Sequence, residues 1–141
     1  MTQALLEIDA LSVDYETNRG DLKALRDISF DVKKGEIVGI VGESGCGKST
    51  LISAILRLIA PNTRFRNGEI RFKGDDLLPL PDRRMRDLRG ADISIVFQDP
   101  MSSLNPRHRV GTIIAGPLQL HGFDQIRERV DFALSQVGLP L

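Results

Sequence analysis

Gly42-Glu43-Ser44-Gly45-Cys46-Gly47-Lys48-Ser49-Thr50 is the stretch that decides the fold. It fits the pattern G-x-x-x-x-G-K-[S/T], a glycine-rich loop followed by a lysine and a hydroxyl residue. The apolar, β-branched run at 36–41 precedes it and predicts a buried strand. The residues after it have apolar side chains at helical spacing: Leu51, Ile52, Ile55, Leu56, Leu58 and Ile59. A strand, a glycine loop and a helix in this order predict a phosphate-binding loop.

The residue types in this stretch suit a bound polyphosphate. Its three glycines let the backbone curl so that successive N–H groups face one anion. The following helix adds free N–H donors and the positive end of its dipole. Lys48 supplies a full charge to β- and γ-phosphates, and the Ser49 hydroxyl suits Mg²⁺, with Thr50 beside it. We therefore predict that all nine residues bind a nucleotide. The alternative is a glycine turn that happens to precede a lysine and a serine.

Composition narrows the class of protein. The chain has 141 residues, of which 41% are hydrophobic and 27% charged, which is ordinary for one globular domain. Lys+Arg and Asp+Glu both number 19, so the zero net charge gives no electrostatic case for nucleic acid as a partner. The single cysteine, Cys46, excludes an internal disulfide. With no signal peptide and no apolar run near the ~20 residues of a membrane span, we expect a soluble protein, or one held at a membrane by a partner.

Strand patterns occur on both sides of the loop. Apolar and polar residues alternate at 5–15 and 22–32, with a turn signal between them, which predicts two antiparallel strands. The segment 61–68 is predicted to be a polar loop, and 69–72 a short strand. The apolar run at 93–97 predicts another buried strand.

Helix signals follow in the second half. Asp82 is a candidate cap for a short basic helix through Leu88, whose charges are those of a solvated face. The pattern at 112–121 predicts a helix that is kinked or starts late because of Pro117. Asp124 is a candidate cap for a last helix, which Gly138 would end.

Phe97-Gln98-Asp99-Pro100-Met101-Ser102-Ser103-Leu104-Asn105-Pro106 is a second distinctive stretch, and Gln98 follows Lys48 by fifty residues. With both motifs, the chain resembles the ATP-binding subunit of ABC transporters, in the branch of peptide, nickel and glutathione importers. The resemblance covers about the first half of that family's nucleotide-binding domain. It implies an α/β P-loop NTPase core, with a mostly parallel sheet and flanking helices, plus an antiparallel β subdomain, here as an incomplete domain. We expect antiparallel β and the phosphate-loop core at 1–80, and the Q-loop and start of a helical subdomain at 81–141.

The resemblance also implies roles for two further residues. Tyr15 lies where the family places an aromatic ring that stacks on adenine, and the alternative is a strand-end tyrosine packed on its neighbours. Gln98 lies at the Q-loop glutamine, whose amide oxygen can ligate Mg²⁺ and whose NH₂ can orient the attacking water. The alternative is a polar residue at a strand end. Lys48 and Gln98 are thus the catalytic candidates, Ser49 and Gln98 the metal candidates, and ATP and Mg²⁺ the expected ligands.

Three other features point less clearly to a function. Asp99 ends an apolar run as a Walker B aspartate would, but Pro100 follows it instead of an acidic residue. The D-x-x-G at 87–90 matches a GTPase motif, yet it precedes a predicted strand instead of following one. Cys46, beside Lys48, is either a reactive thiol or a small residue that fills the loop.

The family's remaining catalytic motifs do not occur in these 141 residues. We find no L-S-G-G-Q signature, no strand ending in Asp-Glu and no later switch histidine. Phosphoryl transfer depends on positioned charges, so the resemblance implies a transport ATPase for the parent, while this chain binds ATP without hydrolysing it. A sheet that lacks core strands also predicts an open edge and poor solubility.

The resemblance implies an assembly at the cytoplasmic face of the inner membrane, with this subunit peripheral. The expected partners are integral-membrane permease subunits, a second ATP-binding subunit and, indirectly, a periplasmic or extracellular solute-binding protein. The alternatives are a soluble non-transport ABC ATPase and a nucleotide-binding remnant without turnover.

Overall fold

The computed structural model describes residues 4–99 and 103–140. Pro100, Met101 and Ser102 of the second motif lie outside the described residues. The chain forms two compact units, Met1–Met85 and Arg86–Leu141. The strands and helices are β1 (Ala4–Thr17), β2 (Gly20–Lys33), α1 (Lys48–Ile55), β3 (Thr63–Phe72), β4 (Asp75–Asp76), α2 (Asp82–Leu88), α3 (Val110–Leu120) and α4 (Ile126–Gln136).

The first unit is built on an antiparallel sheet with strand order β2-β1-β3-β4. β1 and β2 form a hairpin closed by the pair Thr17 and Gly20, and Gly20 takes a φ of 111° that suits glycine. Alternation along the strands buries one set of side chains. The largest fully buried side chains are Ile8, Leu11, Val13, Ile70, Leu77 and Met85. This confirms the antiparallel strands predicted at 5–15 and 22–32.

β3 corrects the polar loop predicted at 61–68. The strand begins at Thr63, and Phe65 pairs with Val13 of β1. Polar composition suggested a loop because Arg64 and Arg66 flank Phe65. In the sheet, both arginines find carboxylates on neighbouring strands, so pairing between strands overrides the local composition.

Two predicted strands do not form. Residues 36–41 have no regular secondary structure, and Ile37 and Val41 are 98% and 96% exposed. At 93–97 there is only an isolated bridge from Ile93 to Arg89, and Val96 is 88% exposed. A buried parallel strand needs hydrogen-bonded neighbours, and no strand among the described residues pairs with either run. The parallel part of the predicted sheet is therefore not formed here, as suits an incomplete α/β domain, while the antiparallel part is.

Helix α1 is shorter than predicted, because it ends at Ile55 instead of continuing to Ile59. Arg57 takes a left-handed φ of 51° and closes the helix end. Its N–H donates to the Ala54 carbonyl at 3.0 Å, and that of Leu58 donates to Ser53 at 2.8 Å. This is the Schellman pattern, with an arginine where glycine is usual. The Arg57 guanidinium offsets that strain by donating to the carbonyls of Leu77 and Leu80 and to Asp82.

The other helices follow the sequence predictions with three corrections. α2 ends at Leu88 as predicted, but Asp82 is the first residue of the helix instead of the cap before it. α3 starts earlier than expected and continues through Pro117. Asp124 does not cap α4, since the N-cap is Gln125 and no side chain caps that end. The Asp124 carbonyl instead accepts a hydrogen bond from Arg129. Gly138, with a φ of 70°, follows the end of α4 as predicted. No helix in 4–99 or 103–140 is long and apolar enough to cross a membrane.

Candidate nucleotide-binding site

The stretch from Gly42 to Thr50 curls around its own lysine. The Lys48 Nζ donates to the carbonyl oxygens of Gly42, at 2.7 Å, and Glu43, at 2.6 Å. It also lies 3.3 Å from the Cys46 Sγ. A bond from the Cys46 N–H to the Glu43 carbonyl, at 3.4 Å, closes the turn. The loop therefore holds a full positive charge at its centre.

Two glycines in this loop stand where a side chain would not fit. A Cβ on Gly47 would lie 2.6 Å from the Ala24 carbonyl oxygen and 2.8 Å from the Leu25 Cδ2, and its φ is 98°. A Cβ on Gly42 would lie 2.6 Å from the Cys46 Sγ. The first restriction comes from close packing on β2, and the second from the tightness of the loop itself. Both glycines therefore allow the tight backbone curl that a phosphate-binding loop requires.

The N-terminus of α1 faces the same loop. The helix begins at Lys48, its N-cap is Gly47, and no side chain caps that end. Its first turn has no acidic residue, and Ser49 is exposed there. Uncapped N–H groups and the positive end of the helix dipole favour an anion at this position. The residues present thus fit a polyphosphate.

Apolar packing fixes the loop to the sheet. Leu51 and Ala54 of α1 and Leu25 of β2 are buried. Beside them is a hollow of about 210 Å³, lined by Leu25, Ile28, Phe30, Ile40, Val41, Cys46, Gly47, Lys48 and Leu51. Ile40 and Val41, predicted to lie in a buried strand, instead border this hollow. The position of the loop therefore depends on its contact with β2.

Tyr15 lies beside the first turn of α1. Its hydroxyl donates a hydrogen bond to the Thr50 Oγ1 at 3.1 Å, although 35 residues separate the two in the sequence. The tyrosine is only partly buried. The structure thus brings the predicted adenine-binding residue to the predicted phosphate loop, while stacking on a base remains a prediction.

The residues on either side of Tyr15 form ion pairs with β3. Arg66 donates to Asp14 at 2.8 Å and also to Asp21 of β2. Arg64 makes two bonds to Glu16, at 2.8 and 2.7 Å. The hydrogen bond to Asp14 raises the pKa of Arg66 above its ordinary value. Sequence reasoning missed these arginines because 61–68 was predicted to be a loop. The pattern that indicates this pairing is the alternation of basic residues with Phe65 and of acidic residues with Tyr15.

Gln98 is exposed, at a bend in the second unit. Its predicted roles toward Mg²⁺ and water remain predictions. In the described part of the chain, no group of three or more His, Cys, Asp or Glu residues could hold a metal ion.

Comparison with known proteins gives consistent results. The family model described as ABC transporter matches residues 25–141. The dipeptide transport ATP-binding protein DppD of Lactococcus lactis is 41% identical over 98% of this chain and 41% of its own length. The oligopeptide transport ATP-binding protein OppD of Bacillus subtilis is 42% identical over 97% of this chain and 39% of its own length. The chain thus spans about two fifths of the length of these curated relatives.

Solved structures agree on the fold. The cassette MJ0796, in a dimeric post-hydrolysis state bound to ADP and Pi, superposes with a TM-score of 0.76 at 23% identity. The match covers 96% of this chain and 58% of that one. The protein cbiO1 of Clostridium perfringens, part of the transporter complex cbiONQ, gives a TM-score of 0.72 at 28% identity. That match covers 96% of this chain and 51% of the other.

Proposed function

The chain belongs to the ABC transporter family, and on that basis we propose that it is the ATP-binding part of a subunit that energises an importer of peptides or related small solutes. The observation that carries the proposal is the loop built around the Lys48 ammonium. Gly42 and Gly47 let the loop pack tightly around Lys48 and against β2, and an uncapped helix end faces the loop. The dipeptide and oligopeptide relatives support the class of solute.

Each residue then has a distinct part in binding ATP. The N–H groups of the loop and of the first turn of α1 hold the β- and γ-phosphates. Lys48 exchanges its bonds to two backbone carbonyls for bonds to phosphate oxygens. The Ser49 hydroxyl holds Mg²⁺, which supplies neutralising charge when bound. Tyr15 stacks on adenine, which contributes about 0.5–1.5 kcal/mol. Gln98 orients the attacking water in the complete enzyme.

In the complete protein, ATP binding and hydrolysis drive transport across the inner membrane. Two ATP-binding subunits act together on the membrane permease from its cytoplasmic face, and a separate binding protein delivers the solute. The 141-residue chain holds the phosphate loop and Gln98, but the sequence contains neither the signature loop nor an Asp-Glu pair. We therefore expect it to bind MgATP without turnover.

Calorimetric titration of MgATP into the chain and its Lys48→Ala variant tests the proposal. Loss of the ammonium should weaken binding at least tenfold, because a hydrogen bond to a charged group contributes about 1.5–3 kcal/mol. Lys34→Ala is the matched control, since it removes the same charge from an exposed lysine outside the loop. Equal affinity for the parent and the Lys48→Ala variant would contradict the proposal.

A further inference from the structure

Tyr15 lies at the end of β1 between two residues that β3 holds by ion pairs. In a strand, alternate side chains point to opposite faces, so Asp14 and Glu16 share one face of the sheet and Tyr15 points to the other. On one face Arg66 binds Asp14, and Arg64 binds Glu16. On the other face the Tyr15 hydroxyl reaches Thr50. The arginines and the phosphate loop therefore act on the same three residues of β1 from opposite sides.

The hydrogen-bond ladder of β1 is irregular next to these side chains. The pairing of β1 shifts register just before Tyr15, between Ser12 and Val13 on the β3 side and between Val13 and Asp14 on the β2 side. Such an irregularity bends and twists the strand just before Tyr15, while Tyr15 itself pairs with Leu22 of β2 and Thr63 of β3. The Glu16 N–H donates to the Asn62 carbonyl, and the Asn62 Nδ2 donates to the Glu16 carbonyl, both at 2.8 Å. The two arginines hold the side chains of Asp14 and Glu16.

We propose that Arg64 and Arg66 are positioning residues for Tyr15: through Glu16 and Asp14 they keep its side chain against Thr50, beside the phosphate loop. The inference rests on the proposed function, since the position of Tyr15 affects affinity only if a nucleotide binds. It assigns the two arginines to the base-binding end of the site, and not to the phosphates. The ratio between affinity for ATP and affinity for a ligand without a base is then the quantity they control.

The size of the effect follows from the burial of each pair. Arg64 and Glu16 are 46% and 45% exposed as side chains, and pairs of this kind contribute little. Asp14 is only 12% exposed, so removal of Arg66 leaves a nearly buried carboxylate without this partner. We expect Arg66→Met to weaken MgATP binding about three- to tenfold, and Arg64→Met about twofold.

Calorimetric titration with MgATP and with magnesium tripolyphosphate tests the inference. Tripolyphosphate carries the phosphate chain but no base, so it reports on the loop alone. Arg66→Met should weaken MgATP binding and change tripolyphosphate binding less than about twofold. Arg66→Lys keeps the charge and should recover part of the loss.

Arg71→Met is the matched control. Arg71 is also on β3 and pairs with Glu7 and Glu69, but Glu7 lies at the opposite end of β1 from Tyr15. This variant removes an arginine from the same sheet and should leave the ratio of the two affinities unchanged. Circular dichroism should show that each variant is folded. Where Arg66→Met does not fold, Arg64→Met gives the test instead: MgATP binding should weaken about twofold, and tripolyphosphate binding should stay at the parental value within measurement error.

Fluorescence gives a second readout that loss of stability alone would not move. The sequence has one tyrosine and no tryptophan, so intrinsic tyrosine emission comes from Tyr15 alone. In the folded Arg66→Met variant without ligand, its anisotropy should fall, because the side chain is less restrained. In Arg71→Met it should stay at the parental value.

The outcomes distinguish the positioning role of the arginines from the proposed function. An equal loss for ATP and tripolyphosphate, or the same ratio change in Arg71→Met, would overturn the positioning role while leaving nucleotide binding intact. Failure of the parent chain to bind either ligand would instead contradict the proposed function itself.

Discussion

Two neighbouring residues of the loop contribute to binding in opposite ways. Gly47 and Lys48 are adjacent, yet one acts through the absence of a side chain and the other through the charge of its own. The motif could be read from the sequence because few residue types can meet both demands at that spacing. The bond from Tyr15 to Thr50 could not be read in this way, because it joins residues that only the folded sheet brings together.

Gly47→Ala tests the close packing of the loop on β2. The substitution places a Cβ 2.6 Å from a backbone oxygen and at a positive φ, so we expect a loss of at least about 2 kcal/mol in unfolding free energy and a loss of MgATP binding. Urea denaturation and calorimetry measure the two effects.

Two other glycines provide graded controls for that substitution. Gly45→Ala meets open space but keeps a φ of 81°, so it should lose only about 1 kcal/mol. Gly39→Ala meets open space without a positive φ and should be nearly neutral. Equal losses in all three variants would show that the packing against Ala24 and Leu25 is not what restricts Gly47.

At the scale of the elements, each strand that forms has a hydrogen-bonded partner strand, either next to it in the sequence or elsewhere in the same sheet. The alternation in β1 and β2 predicts a hairpin because the turn joins the two strands directly. The runs at 36–41 and 93–97 carry strand-forming residues but pair with no strand among the described residues. Composition identifies which residues suit a strand, but pairing decides whether they form one, and pairing is not local.

Hydrogen exchange tests this difference between elements. Amides at 37–41 and 94–97 should exchange with little protection, since these residues lie in no helix or strand, whereas the N–H of Glu36 donates to the Lys33 carbonyl and that of Ile93 to the Leu88 carbonyl. Amides of β1 that bond to β2 and β3 should be the most protected in the chain. Protection at 36–41 equal to that in β1 would mean that this run is a paired strand after all.

At the level of the whole molecule, the sequence indicated the family more fully than it indicated the packing. The stretch at 97–106 pointed to peptide importers, and the relatives of that class agree. The predicted parallel sheet is not formed among the described residues. A sheet depends on strands from distant parts of a chain, and this chain spans about two fifths of the relatives' length. The exposed apolar side chains of Ile37, Val41 and Val96 are the visible consequence.

The roles proposed for Lys48, Ser49 and Tyr15 all require that the loop at 42–50 binds the phosphates of ATP. Two-dimensional amide NMR of the 141-residue chain, titrated with MgATP, measures this directly. We predict that the largest shift changes fall on the amides of Gly45, Gly47, Lys48, Ser49 and Thr50, with a smaller change at Tyr15. Unchanged amides throughout 42–50 at saturating MgATP, in a folded sample, would contradict phosphate binding by this loop.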